Sequence, residues 1–441
     1  MMLKRILLLF VLVSGYTQHC YGAESYEPGK PLTLARALAL TLEHSPELSA
    51  FSWDIRAAEA RIIQARLIPN PEIGFEGENL NEVSSKSSNQ MQNTLQLSQL
   101  IELGGKRKFR VREAQFDRES TRWDYQVKRL EVLKETSTAY IDVLAAQENV
   151  QLAEEGLAIA EAAVPAIQKR LEAGKASDVE MVRTNTAVAS ARIELEQAKR
   201  ELQTARLNLA AQWGEKEAVF PAVMGNLDQV SKLPSLESLN AKLHRNPNVA
   251  KWTTEREKRE ATLNVVRAEA KPDLTFEAGP RVIQSHPVDV TFVAGFSIPL
   301  PLWNRNQGKI AEAEANVAKV ADERAAAETK AYADLNEAYQ TLARAAEEVR
   351  ILRESVLPGA KSALGQITVG YSAGRFGQLD VLDAQKSYNE TRTQYVKALA
   401  DYHKAQAQID ALTALPVESP SPTEPVSKTY GNRNKKAPRN E

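Results

Sequence analysis

Few residues in this chain could carry covalent chemistry. It has one Cys, Cys20, and five His, at positions 19, 44, 244, 286 and 403. No two His stand four apart, so the helical zinc-ligand spacing is missing, and one Cys cannot build a thiolate site. No nucleophile–base pairing and no Gly-rich phosphate loop stands out either. No catalytic, cofactor-binding or metal-ligating residue is therefore assigned, and an enzyme is not expected. Charged residues near two turns are more informative. Asp380 and Asp383 lie three apart, which puts both carboxylates on one face of a helix, where they would attract cations. Acids in a first helical turn also complement the macrodipole. Just upstream stands Ala373-Gly374-Arg375, and an earlier string, Ala173-Gly174-Lys175, has the same form. A Gly after a long helix is a natural left-handed cap.

The elements that must position these residues repeat. At a spacing of 201, Leu38, Leu42, Pro46, Ala60, Arg66, Pro71, Phe75 and Glu76 meet Leu239, Leu243, Pro247, Ala261, Arg267, Pro272, Phe276 and Glu277 without a gap. At a spacing of 200 the two Gly strings coincide, with Val179 and Glu180 on Leu379 and Asp380. A tandem duplication follows: a first repeat over 24–230 and a second over 231–415. Each opens with a helical stretch, about 32–68 and 236–269, that ends before Pro71 or Pro272. Period-two alternation then predicts a β-hairpin over 71–103, with a Ser-rich loop at 84–88, and another over 272–302. Long helices follow over 106–172 and 178–213, and over 309–372 and 378–413. The longest spans roughly 100 Å at 1.5 Å per residue. Leu335, Tyr339, Leu342, Ala346 and Val349 step by four and three, a coiled-coil seam, while Pro165 and Pro358 predict kinks.

Composition bounds the class. The 441 residues hold 56 Lys and Arg against 57 Asp and Glu, a net charge of −1, which argues against a nucleic-acid partner. Lys4 and Arg5 ahead of the apolar run 6–13, with a small-residue exit near Gly22 and Ala23, read as a signal peptide over 1–23. Thr17-Gln18-His19 is a poor lead-in for lipidation of Cys20. The tail at 416–441, rich in Pro, Ser, Asn and Lys, is expected to be disordered. No later apolar run reaches the roughly 18 residues of a spanning helix. If the exported chain crosses a bilayer, it does so as strands. Phe276, Val290, Phe292 and Phe296 would then face lipid. Four strands cannot close a barrel, since the smallest have about eight, and an open edge in hydrocarbon costs several kcal/mol per unpaired group. Several protomers must pool their hairpins.

From Leu32 to Leu415 the chain resembles the TolC-like outer-membrane efflux proteins. The resemblance rests on the tandem repeat, the strand start Asn70-Pro71-Glu72-Ile73-Gly74-Phe75-Glu76, and two strand exits. Those exits, Glu102-Leu103-Gly104-Gly105-Lys106-Arg107 and Pro299-Leu300-Pro301-Leu302-Trp303-Asn304-Arg305-Asn306-Gln307-Gly308, look most like the cobalt–zinc–cadmium resistance branch. The resemblance implies a mostly α fold with a transmembrane β part. Four strands per protomer would complete a trimeric twelve-stranded β-barrel, joined to a long periplasmic α-helical barrel. It implies a homotrimer in the outer membrane of a Gram-negative bacterium, docked to a periplasmic adaptor and an inner-membrane resistance-nodulation-division pump, and exporting heavy-metal cations. Asp380 and Asp383 then form two stacked carboxylate rings at a pore constriction. Gly174, Lys175, Gly374 and Arg375 mark adaptor-docking tips. Tyr371, Arg375 and Asp178 form a candidate gate network, although Phe376 stands where the family's Arg is expected. A multidrug or type I secretion duct, and a soluble coiled-coil scaffold, remain open as alternatives.

Overall fold

A computed structural model describes residues 30–79, 91–284 and 287–413. The signal segment 1–23 with Cys20, the loop at 84–88, His286 and the tail at 416–441 lie outside the described residues.

The helical stretch that opens each repeat is two helices, not one. α1 (Leu34–His44) and α2 (Pro46–Arg66) break at Ser45, while α5 (Leu236–Leu243) and α6 (Pro247–Glu269) break at the segment ending in Asn246. Pro46 and Pro247 are the reason. Proline suits the first helical position but pushes the residue before it out of the helical region, and Ser45 and Asn246 have ψ of 121° and 134°.

Between these helices and the tips run α3 (Lys106–Glu172), α4 (Asp178–Ala211), α7 (Gln307–Ile351), α8 (Leu357–Ser372) and α9 (Gln378–Thr413). The 67-residue α3 continues through Pro165 without interruption. Pro358 behaves differently: the turn before it, Leu352–Val356, is π-helical. Proline has no N–H and its ring crowds the carbonyl four residues back, and a widened turn relieves both conflicts. The π turn also carries Arg353, which donates to the Asp228 carbonyl at 2.8 Å and to the Tyr395 hydroxyl at 2.8 Å.

Two modest apolar clusters brace the middle of the helical body. One gathers Tyr140, Val143, Leu209, Trp213 and Phe220; the other gathers Leu239, Leu243, Val396, Leu399, Tyr402 and Ile409 around the predicted seam. Leu335, Leu342 and Val349 are buried there, with Tyr339 and Ala346 packed against them.

The strands β1 (Glu72–Glu78), β2 (Gln92–Ile101), β3 (Leu274–Ile283) and β4 (Asp289–Ser297) form one antiparallel sheet in the order β1-β2-β3-β4. The two repeats meet in it through β2 and β3. Its register sorts the residues by chemistry. One cross-strand row reads Glu76, Thr94, Arg281, Thr291, and Arg281 donates to Thr94 Oγ1 at 2.9 Å. The opposite face carries Ile73, Phe75, Leu95, Leu97, Phe276, Val290, Phe292 and Phe296, all exposed, with Phe75 71% and Phe292 73% accessible. β1 and β4 each have a pairing partner on one side only. Gly279 is required by close approach: a Cβ there would lie 1.9 Å from the Leu95 carbonyl oxygen.

Candidate functional site

Both tip turns are built the same way. After α3, Lys175 N–H donates to the Arg170 carbonyl at 2.8 Å and Gly174 N–H to that of Leu171 at 2.9 Å. After α8, Arg375 N–H donates to Gly370 at 2.8 Å and Gly374 N–H to Tyr371 at 3.0 Å. These are paired C-terminal caps, closed by a residue in the left-handed region. Gly174 and Gly374 have φ of +65° and +76°, and a Cβ at either would touch nothing within 4 Å. Conformation alone selects glycine there, and the space above each turn is open.

Asp380 and Asp383 are both exposed, one turn apart in the first two turns of α9. Asp380 accepts the Gly377 N–H at 2.8 Å, so it caps the helix that carries it. The Asp383 side chain has no hydrogen bond or ion pair with any described residue. The capping role is thus visible for Asp380, while Asp383 presents an uncommitted carboxylate.

Of the expected gate residues, one is engaged within a protomer. The Tyr371 hydroxyl donates to Glu180 Oε2 at 3.3 Å, two positions along α4 from Asp178. The Arg170 guanidinium lies 4.5 Å above the Tyr371 ring. Burial pushes the Tyr371 hydroxyl above its ordinary pKa; Arg170 pulls it down, and Glu180 adds to the rise. Asp178 and the Arg375 side chain are exposed, with no partner among the described residues. Phe376 packs its ring against Gly370, where a Cβ would collide with it.

The sequence reading missed Gln378. It is buried, and its Nε2 donates to Thr184 Oγ1 at 2.6 Å and to the Glu180 carbonyl at 2.9 Å. Gln378 Oε1 is buried with no hydrogen-bond partner among the described residues. Gln378 and Tyr371 together latch the α8–α9 tip onto α4. A signal did exist: at the repeat spacing, Asp178 and Glu180 meet Gln378 and Asp380, so the copies differ where they meet.

The other two strings that carried the resemblance are junctions. Gly105 and Asn306 match at the repeat spacing, and both cap the following long helix with positive φ, 76° and 61°. Asp273 accepts Leu103 N–H at 2.9 Å and Lys106 Nζ at 2.7 Å, while Glu102 takes both Arg110 guanidinium nitrogens. These bonds fix the angle at which the sheet meets α3.

A profile for the family described as "Outer membrane efflux protein" matches residues 37–215 and 239–415, one match in each repeat. The chain belongs to this outer membrane efflux protein family. Membership places it in the outer membrane, with the helical body in the periplasm. It is 35% identical to the cobalt-zinc-cadmium resistance protein CzcC of Cupriavidus metallidurans, over 88% of this chain and 91% of that one. It is 27% identical to the nickel-cobalt-cadmium resistance protein NccC of Alcaligenes xylosoxydans, over 64% and 63%. The expected family resemblance is thereby borne out. Among solved structures, one of CusC, reported with its transmembrane channel formation, aligns with a TM-score of 0.71 at 15% identity, over 89% of this chain and 95% of that one. The Vibrio cholerae outer membrane protein VceC aligns with 0.68 at 18%, over 87% and 97%. Both show the same fold.

Proposed function

We propose that the protein is the outer-membrane exit channel of a tripartite efflux system that exports heavy-metal cations. The observation that carries the channel reading is the sheet: one exposed apolar face, one largely polar face and two unpaired margins in a chain of this family. Three copies joined β4 to β1 close twelve strands, put Phe75, Phe292 and Phe296 against lipid and put Arg281 and Thr94 on the lumen. Closure satisfies every backbone group that would otherwise meet hydrocarbon. The cargo follows from the 35% identity to a cobalt-zinc-cadmium resistance protein.

In this reading the duct does no chemistry, and its energy comes from an inner-membrane pump reached through a periplasmic adaptor. The adaptor meets the tips at Gly174, Lys175, Gly374 and Arg375, whose surroundings are open. Asp380 and Asp383, repeated in three protomers, ring the narrow end and concentrate cations there. Asp178 and Arg375, unengaged within a protomer, are available to the neighbouring one, and Tyr371 holds the tip from inside. A deletion strain tests the cargo. It becomes sensitive to cobalt, zinc and cadmium salts and keeps its tolerance of detergents; the opposite pattern would make it a drug duct.

A further inference from the structure

The first turns of α3 break a local rule. Lys106, Arg107, Lys108, Arg110 and Arg112 crowd the helix start with no acid in the first turn, although the positive end of a helix disfavours cations. Starting a regular helix does not require this many cations. The matching turns of the second repeat read Gln307-Gly308-Lys309-Ile310-Ala311-Glu312-Ala313, with one cation and one acid, and they start an equally regular helix.

Asp273 neutralises Lys106 and Glu102 neutralises Arg110. Arg107, Lys108 and Arg112 do not pair with any described acid, nor does Arg66 at the end of α2. All four are exposed, and all four line one groove of about 1180 Å³ between the end of α2, the end of β2 and the start of α3. The same groove is lined by Ile68, Leu100, Ile101, Val111 and Phe116, beside Glu102 and Glu119, whose carboxylates pair with Arg110 and with Arg118 and Arg122. Ile68 is 61% accessible there, and Ile101 continues the face of β2 that carries Leu95 and Leu97. Trp303, 86% accessible at the exit of β4 beside exposed Leu300 and Leu302, marks the same end of the sheet. An exposed Trp flanked by apolar residues suits a membrane–water interface.

We propose that this groove holds an anionic glycerophospholipid of the inner leaflet of the outer membrane. Arg107, Lys108, Arg112 and Arg66 grip its phosphate, and Ile68 and Ile101 take the start of its acyl chains. The choice of occupant rests on charge complementarity: four cations with no acid partner, Arg112 among them stacked on Phe116 at 5.4 Å, beside Ile68 and Ile101 match one molecule that is both anionic and amphiphilic. The inference relies on the channel reading for the depth of the groove, and it adds a lipid-specific site at the joint between sheet and helices.

The test uses the full chain, purified as the oligomer. Native mass spectrometry compares retention of phosphatidylglycerol and phosphatidylethanolamine by the wild type and by Arg107→Gln/Lys108→Gln/Arg112→Gln. Each lost cation lowers phosphatidylglycerol retention on the order of fivefold, since one basic residue near an anionic surface is worth about 1 kcal/mol. Phosphatidylglycerol also raises the temperature at which the wild-type oligomer dissociates and leaves that of the triple variant unchanged. Arg66→Gln, on α2 and outside the triple variant, gives a second, independent measure, and Lys309→Gln is the control that changes nothing. Equal retention of the two lipids by the wild type, or equal retention by wild type and variants, overturns the proposal. So does equal protection by inorganic phosphate in lipid-free detergent. Single-channel conductance separates the two readings: wild type and variants that conduct alike uphold the channel whatever the lipid result, and absence of channels in the wild type removes the channel reading itself.

Discussion

Replacing Gln378 with Leu should open the tip of the channel. The substitution keeps the volume of the buried side chain and removes its two donated bonds, to Thr184 Oγ1 at 2.6 Å and to the Glu180 carbonyl at 2.9 Å. Each such bond is worth about 1 kcal/mol net. Part of that loss is offset, because Leu also removes the buried Oε1 that finds no partner. Thr184 still donates to the Glu180 carbonyl at 2.9 Å, so that acceptor is not orphaned. The net loss is about 1 kcal/mol per protomer, which raises the open-to-closed ratio of one tip roughly fivefold. Three protomers acting together would multiply this to about a hundredfold if the tips opened as a unit. Tyr371→Phe removes the longer bond to Glu180 and keeps the ring under Arg170, so its effect alone is smaller. The two changes share Glu180 and should not add fully. Planar-bilayer recording gives the open probability and conductance directly. A double variant that records like the wild type, or an exposed change at Val182 that opens the channel equally, would refute the latch.

Other outcomes follow from the same geometry. Asp380→Asn/Asp383→Asn keeps a side-chain oxygen for the Gly377 N–H but removes two charges, so block of the current by multivalent cations weakens while the helix start stays intact. Unchanged block in the same recording would remove both residues from the constriction. Gly279→Ala places a Cβ 1.9 Å from the Leu95 carbonyl oxygen, so β2 and β3 must separate, and the heat-resistant oligomer band on a gel should disappear. Asp117 sits between Lys258 at 2.8 Å and Arg61 at 2.8 Å. Burial alone would raise its pKa, but the hydrogen bonds from Lys258 and Arg61 outweigh it and hold the carboxyl below its ordinary 3.8. A depressed folded pKa gives stability that is complete above the ordinary value and is lost as pH falls through the folded one. Asp117→Asn should therefore lower the melting temperature near neutral pH and flatten its acid limb, read by circular dichroism.

What was legible in the residues alone has a common cause: it is local and periodic. The seam from Leu335 to Val349 and the alternation of Val290, Phe292 and Phe296 are properties of a single helix or strand, so their buried and exposed faces follow from spacing. The duplication was legible because equal spacings survive in the chain whatever its fold. The breaks at Ser45 and Asn246 were missed, because the helical pattern on either side of Pro46 and Pro247 masked them. Pro165 and Pro358 show the limit of a local rule, since one passes within a regular helix and the other follows a π turn.

Tertiary structure alone decided the rest. Gln378 meets Thr184 across 194 positions of chain, and that meeting depends on the rotational phase of two long helices, which small errors in turn count would undo. Arg66 and Arg107 line one groove because the hairpin of β1 and β2 folds the chain back between them. Sequence therefore set which residues each element turns outward, through the periods of helix and strand. Which outward residues face each other was settled only when sheet register and helix packing brought distant segments together.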